Sequence, residues 1–206
     1  MTGTRVVVVD PEDPQRAVLN QAADVLLKSG LVAFPTETFY GLGANALDPE
    51  AVRRIYAVKG RPESKPILVL VASVEMAESL VKKVSATARD LMARYWPGPL
   101  TLVFKASPDL PVEVTAGTGT VGIRVPGHPV AFGLVRAAGC PVTAPSANVS
   151  GEEAPTTAEE VQRRLEGKIE LILDGGATRG GLPSTILDVT VTPPRLLRRG
   201  AIDVDA

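Results

Sequence analysis

The chain has 206 residues, 45% of them hydrophobic and 22% charged, with 22 Lys+Arg against 23 Asp+Glu. These values exclude a disordered tail, a collagen-like fibre and a coiled coil, and leave one domain, or at most two small ones, able to bury about 70% of the unfolded chain's surface. A net charge of −1 excludes a global basic field for gripping nucleic acid but allows a local basic groove.

Cys140 is the single cysteine, so no internal disulfide and no cysteine-based zinc site can form. The longest apolar run, residues 67–72, is far short of the roughly 18 needed to span a membrane. Arg5, four valines and Asp10 read as a strand and not as a secretory signal. A cytoplasmic protein is expected. Gly (19) and Pro (18) fall in clusters between apolar segments, which predicts many shaped loops.

Residues 6–9 are β-branched and predict a buried strand. Asp13-Pro14 predicts a helix start, with Asp13 as N-cap and Gly30 as the C-terminal cap. Residues 31–34 predict a second strand. The polar stretch PTETFYGLG (35–43) reads as a shaped loop, with Gly41 and Gly43 allowing close approach. Asp48-Pro49 opens another helix, and residues 67–71 are a strand. Ser73 and Ser85 predict N-caps. Residues 101–104 are a strand and 130–138 a helix. His128, between Gly127 and Pro129, reads as a turn or cap residue. Thr157 and Glu160 form a capping-box pattern. Residues 169–173, 186–189 and 196–197 are late strands. Strand–helix alternation predicts an α/β fold, and unseparated late strands predict a single twisted mixed sheet flanked by helices. No composition shift divides the chain, so one domain over 1–206 is expected.

Common catalytic signatures are missing. Residues 174–184 (DGGATRGGLPS) are glycine-rich but lack the P-loop lysine. Gly41-Leu42-Gly43 lacks the third glycine of a dinucleotide fingerprint. No G-x-S-x-G surrounds a serine. Six polar clusters remain, most of them directly after a strand. Thr36 lies in the first. Lys59, Arg61 and Lys65 form the second, KGRPESKP. The helix dipole accounts for Lys59, but Arg61 and Lys65 lie beyond the helix and call for an anion such as phosphate. In the third, Arg124 stands inside an apolar strand and needs a carboxylate, from protein or ligand. The fourth is PVTAPSANVSG, with Ser146 and Asn148. The fifth is Ser184-Thr185. The sixth is Arg198-Arg199-Gly200, where at most one arginine faces the site. Together they suit an anionic nucleotide and a small acid, without a metal cage.

PTETFYGLG, KGRPESKP, GIRVPGHP, APSANVSG, PSTILD and the terminal R-x-G resemble, in order and spacing, the YrdC/Sua5 family of L-threonylcarbamoyladenylate synthases. The resemblance runs from about Leu31 to Gly200, and the chain is similar to the short, single-domain form. It implies a concave, positively charged cavity and a reaction of L-threonine, bicarbonate and ATP to threonylcarbamoyl-AMP and pyrophosphate. The product would serve threonylcarbamoyl-transferase proteins that modify tRNA. Carried over by position, Lys59 and Arg61 would be catalytic, and they and Lys65 would hold ATP phosphates, with Lys65 near the bicarbonate-derived carboxylate. Thr120, Ser146, Asn148 and Arg198 would line the nucleotide. Thr36, Arg124, Thr143, Ala144 and Ser184 would bind threonine. Mg²⁺ would be held by the phosphates, and no protein metal ligands are expected. A weak contact with tRNA or double-stranded RNA is allowed. A carbamoyl-transfer domain and a non-enzymatic RNA-binding module are the alternatives.

Overall fold

The computed structural model describes residues 3–204. The termini of the expected domain, residues 1–2 and 205–206, lie outside the described residues. Ten strands form two mixed sheets where the sequence predicted one. The four-stranded sheet has the order β1 (Arg5–Val8), β8 (Leu171–Asp174), β2 (Val32–Pro35), β3 (Tyr40–Gly43). The six-stranded sheet runs β10 (Arg195–Arg198), β9 (Thr185–Asp188), β5 (Leu100–Lys105), β6 (Thr120–Arg124), β4 (Val69–Leu70), β7 (Val142–Thr143). The sheets touch edge to edge through the isolated bridges Gly41–Ser146 and Asn45–Val142. Leu42 N donates to Pro145 O at 2.8 Å across the same seam.

Helices α1 (Arg16–Leu27) and α6 (Pro129–Ala138) pack on the four-stranded sheet. Leu19 and Leu26 meet Leu134, Phe34 and Leu171 there in one buried cluster. A second, larger cluster spans both sheets, joining Leu42 and Ile172 of the smaller to Leu102 and Ile123 of the larger. It takes Val52 and Ile55 from α2 (Pro49–Lys59), Leu91 from α4 (Ala86–Tyr95) and Val161 from α7 (Ala158–Leu165). Short helices α3 (Val74–Ser79) and α5 (Val112–Thr115) complete the elements. No described helix is long and apolar enough to cross a membrane.

Most predicted caps form. Asp48 accepts from Glu50 N and Ala51 N, Ser73 from Met76 N, Ser85 from Ala88 N and Thr157 from Glu160 N. Glu160 closes its box on Thr156 N, one residue earlier than the motif predicts. His128 caps α6 through Nδ1, which accepts from Val130 N at 3.2 Å.

Four local expectations fail for physical reasons. The first strand is an exposed edge, with Val8 74% accessible, because β1 pairs only with β8. Helix α1 begins two residues after Pro14, with Gln15 as an N-cap that makes no side-chain bond. The Asp13 amide is used instead by Asp10 Oδ1, at 3.0 Å. The C-terminal cap is a Schellman arrangement in which Gly30 N reaches Val25 O and Ser29 N reaches Leu26 O. The left-handed residue is therefore Ser29 (φ 61°) and not Gly30. Tyr40–Gly43 is a strand and not a loop. A Cβ on Gly43 would lie 2.8 Å from Phe34 Cε1, and one on Gly41 3.4 Å from the same ring. These glycines make room for the Phe34 ring.

Candidate active site

The face of β9, β5 and β6 turned away from the core is the floor of a cavity of about 790 Å³, a size typical of ligand sites. Strand alternation sets its lining. On β6, Val121 and Ile123 enter the core while Thr120, Gly122 and Arg124 face the cavity. On β5, Leu100 and Leu102 are buried and Thr101 and Val103 face it. The seam between the sheets supplies one wall through Gly41, Ala144 and Ser146. Arg61, from the loop after α2, and Arg198, from β10, reach the lining, which among the described residues contains no Asp or Glu.

Arg124 is only 3% exposed. Its Nη1 lies 3.3 Å from Glu37 Oε1, without hydrogen-bond geometry. Among the described residues, Arg124 Nε and Nη1 and Glu37 Oε2 are buried without a hydrogen-bond partner. Burial pulls the Arg124 pKa below the usual guanidinium range, and the Glu37 charge pulls it back up. The two open donors lie on different edges of the buried guanidinium, and each can give one charge-assisted hydrogen bond to an anion. Glu37 compensates this charge without satisfying its donors, so an anionic ligand that fills them is favoured. Glu37 itself faces a smaller neighbouring cavity of about 450 Å³, beside Arg179.

Arg198 donates through Nη2 and Nε to Ser184 O, at 2.8 and 3.1 Å, and through Nη2 to Ser184 Oγ at 3.1 Å. Burial, and after it the charge of Arg124, lowers the Arg198 pKa. The two guanidinium groups repel, and an anion near both relieves that repulsion. Arg199 points away: it is 84% exposed, 4.0 Å from Asp203. Gly200 shows why the motif ends in glycine. A Cβ there would sit 2.3 Å from Pro183 O and 2.4 Å from Thr185 N. Gly200→Ala must displace backbone next to Ser184. By the usual scale of overpacking it should cost about 1–3 kcal/mol, seen as a lower melting temperature.

Lys59 is fully buried and does not line the cavity. Its Nζ donates to Ser146 O at 2.5 Å and Asn148 O at 2.6 Å, with Asn148 Oδ1 at 3.5 Å. It ties the end of α2 to the loop that forms the cavity wall. Burial, and to a lesser degree the Arg61 charge, pushes its pKa down to about 8 from 10.5. Between these values the unfolded chain holds a proton that the folded protein has released. Stability should therefore rise with pH from about 8 to about 10.5, by up to about 3 kcal/mol at 1.36 kcal/mol per unit. Denaturant titrations at pH 7.5 and 10 check this: the increment should be present in the wild type and missing in Lys59→Met.

Of the other sequence candidates, Thr36, Thr120, Ala144, Ser146 and Ser184 line the cavity together with Arg61, Arg124 and Arg198. Thr36 Oγ1 is occupied by its own turn, donating to Phe39 O at 2.7 Å and accepting from Thr38 N. Arg61 stands at the rim, its Nη2 on Pro66 O at 2.8 Å, and burial lowers its pKa. Thr143 and Asn148 lie behind the wall. Thr143 Oγ1 bridges Leu42 O and Ala44 N, and Asn148 Nδ2 holds Val149 O and Glu152 O. Lys65 is exposed and off the lining. Sequence reasoning missed Thr101 and placed Glu37 in the first polar cluster without assigning it a partner. Thr101 Oγ1 lies 2.9 Å from Ser184 Oγ. The available signals were a polar residue opening an apolar strand, and a carboxylate between two threonines of a quoted motif.

The Sua5/YciO/YrdC family model, described as "Telomere recombination", matches residues 24–200. The chain is 48% identical over 184 residues to the threonylcarbamoyl-AMP synthase of Pyrococcus abyssi, covering 89% of this chain and 54% of that protein. It therefore spans about half the length of that relative. It is 36% identical over 179 residues to the threonylcarbamoyl-AMP synthase of Chromobacterium violaceum, covering 87% of this chain and 92% of that one. The crystal structure of P. abyssi Sua5 complexed with L-threonine matches with a TM-score of 0.92 at 47% identity, over 96% of this chain and 58% of the other. By the extent of these matches and by its fold, the chain belongs to the Sua5/YciO/YrdC family.

Proposed function

We propose that the chain is an L-threonylcarbamoyladenylate synthase, a nucleotidyltransferase that makes threonylcarbamoyl-AMP and pyrophosphate from L-threonine, bicarbonate and ATP. The observation that carries this reading is Arg124: a buried cation with two open nitrogens on the floor of a cavity that also holds Arg61 and Arg198. The similarity to synthases, and to a relative's structure complexed with L-threonine, supports it.

In this reading Arg124 takes the threonine carboxylate. Arg61 and Arg198 take the triphosphate, and Ser146 and Thr120 border the nucleotide. The threonine amine, as a free base, combines with bicarbonate to give a carbamate and water. A carbamate oxygen then attacks the α-phosphorus. The bond from the α-phosphorus to the bridging oxygen breaks, and pyrophosphate leaves with that electron pair. Such a transfer needs alignment and charge neutralisation more than covalent catalysis. Holding the reactants together can contribute roughly 7–11 kcal/mol. Mg²⁺ would neutralise phosphate charge and take its ligands from the phosphates. Among the described residues no group of three His, Cys, Asp or Glu is placed to hold it.

Lys59 supports the site through the Ser146 carbonyl, and Asn148 and Thr143 through the wall behind it. Lys65, on the loop between α2 and β4, is left to approach the phosphates from outside. Incubation with ATP, L-threonine and labelled bicarbonate, followed by mass detection of the adenylate, tests the reading. Label should appear in a threonylcarbamoyl-adenylate and only when threonine is present. ATP turnover without threonine, or carbamoyl phosphate turnover instead, would overturn it.

A further inference from the structure

Gly122 occupies the middle of β6, opposite Val103 of β5. Glycine inside a strand weakens it and marks places where something must come close. Its φ is not in the left-handed region, so the backbone does not require glycine. No neighbouring backbone presses on it either. The nearest atoms to a Cβ there would be Thr101 Cγ2 at 3.2 Å, a tight contact, and Leu68 Cδ1 and Val103 Cγ2 at 3.9 Å. All three of those residues line the cavity. The missing side chain therefore leaves bare backbone on the cavity floor, closely bordered by methyl groups.

The position of that room is defined. Arg124 lies two residues along the same face of β6, about 6.8 Å away at ordinary strand rise. Thr101, at the edge of the open patch, touches Ser184, and Ser184 is held by Arg198. A carboxylate on Arg124 leaves the Cβ substituents of a small amino acid within one residue's reach, over a floor that is apolar at this point. We propose that Gly122 is a specificity-determining residue: its bare backbone leaves the space on which the threonine β-methyl group rests, so threonine is taken in preference to serine. This rests on the threonine-dependent reading given above.

The test measures L-threonine and L-serine binding by calorimetry to the wild type and to Gly122→Ala, with ATP binding as a control. One methyl-sized group in an apolar pocket discriminates by roughly 10- to 200-fold, so the wild type should prefer threonine by at least about tenfold. In Gly122→Ala the preference should collapse, threonine weakening about tenfold or more, with serine and ATP little changed. Equal weakening of both amino acids, or an unchanged preference, overturns the assignment. If Gly122→Ala does not melt cooperatively, the double variant Thr101→Ser/Gly122→Ala removes the 3.2 Å contact and the same ratio is read. Should Thr101→Ser restore full threonine preference in that background, the defect was internal packing and the assignment falls. A wild type that binds neither amino acid overturns the functional reading itself. A wild type that prefers threonine, with an unaltered variant, overturns only the role of Gly122.

Discussion

Replacing Arg124 by glutamine is expected to weaken L-threonine binding by about two to four orders of magnitude. Each hydrogen bond to a charged group contributes roughly 1.5–3 kcal/mol, and the two open nitrogens can donate one each. Two such bonds lost correspond to about 3–6 kcal/mol, at 1.4 kcal/mol per tenfold. Nucleotide affinity should change far less, because Arg61 and Arg198 stay in place. The signature is a large rise in the KM for threonine, measured by threonine-dependent pyrophosphate release, against a small change in the KM for ATP. The variant also leaves Glu37 without its cation, so a lower melting temperature accompanies the binding defect. Arg124→Lys should not restore binding, since an ammonium cannot present two parallel donors to a carboxylate. Equal loss for both substrates would mean that Arg124 serves the nucleotide.

Lys59→Met should impair the protein from behind the cavity wall. Removing Nζ strands Ser146 O and Asn148 O, both now bonded to it. A buried polar group left unsatisfied costs about 1–3 kcal/mol. Relief of the buried ammonium offsets part of this, leaving a net loss of about 2 kcal/mol at neutral pH by the same scale. For a chain of this size that lowers the melting temperature by about 4–8 °C. Turnover should fall more steeply than stability, because Ser146 is on the cavity wall. A merely local defect would leave hydrogen exchange of residues 146–152 unchanged. The account predicts faster exchange there even without nucleotide.

What the sequence made legible follows from range of interaction. Asp48, Ser73, Ser85, Thr157 and His128 act on amides two or three residues away, and each is a cap as expected. Arg124 was legible because a guanidinium inside an apolar strand demands a partner. Lys59 was harder to read for the converse reason. A cation at a helix end has a local explanation, while its actual partners lie 87 and 89 residues away. Strand β3 was hidden because YGLG carries no β-branched residue. Its pairing is set by Phe34, whose ring occupies the space that the two glycines leave. The division into two sheets was equally invisible, since it depends on the seam between residues 41–45 and 142–146. That seam forms the cavity wall, so the clusters could be read one by one while their assembly could not. Arg198 and Arg199 show the same limit at single-residue scale: alternation allowed only one of them inside, and only the fold places Arg198 there.

The most direct measurement is a crystal structure with L-threonine and a non-hydrolysable ATP analogue bound together. The account predicts the threonine carboxylate on the Arg124 guanidinium, the triphosphate between Arg61 and Arg198, and both ligands inside the one cavity. Threonine bound away from Arg124, or the analogue bound on another surface with the cavity empty, would contradict it.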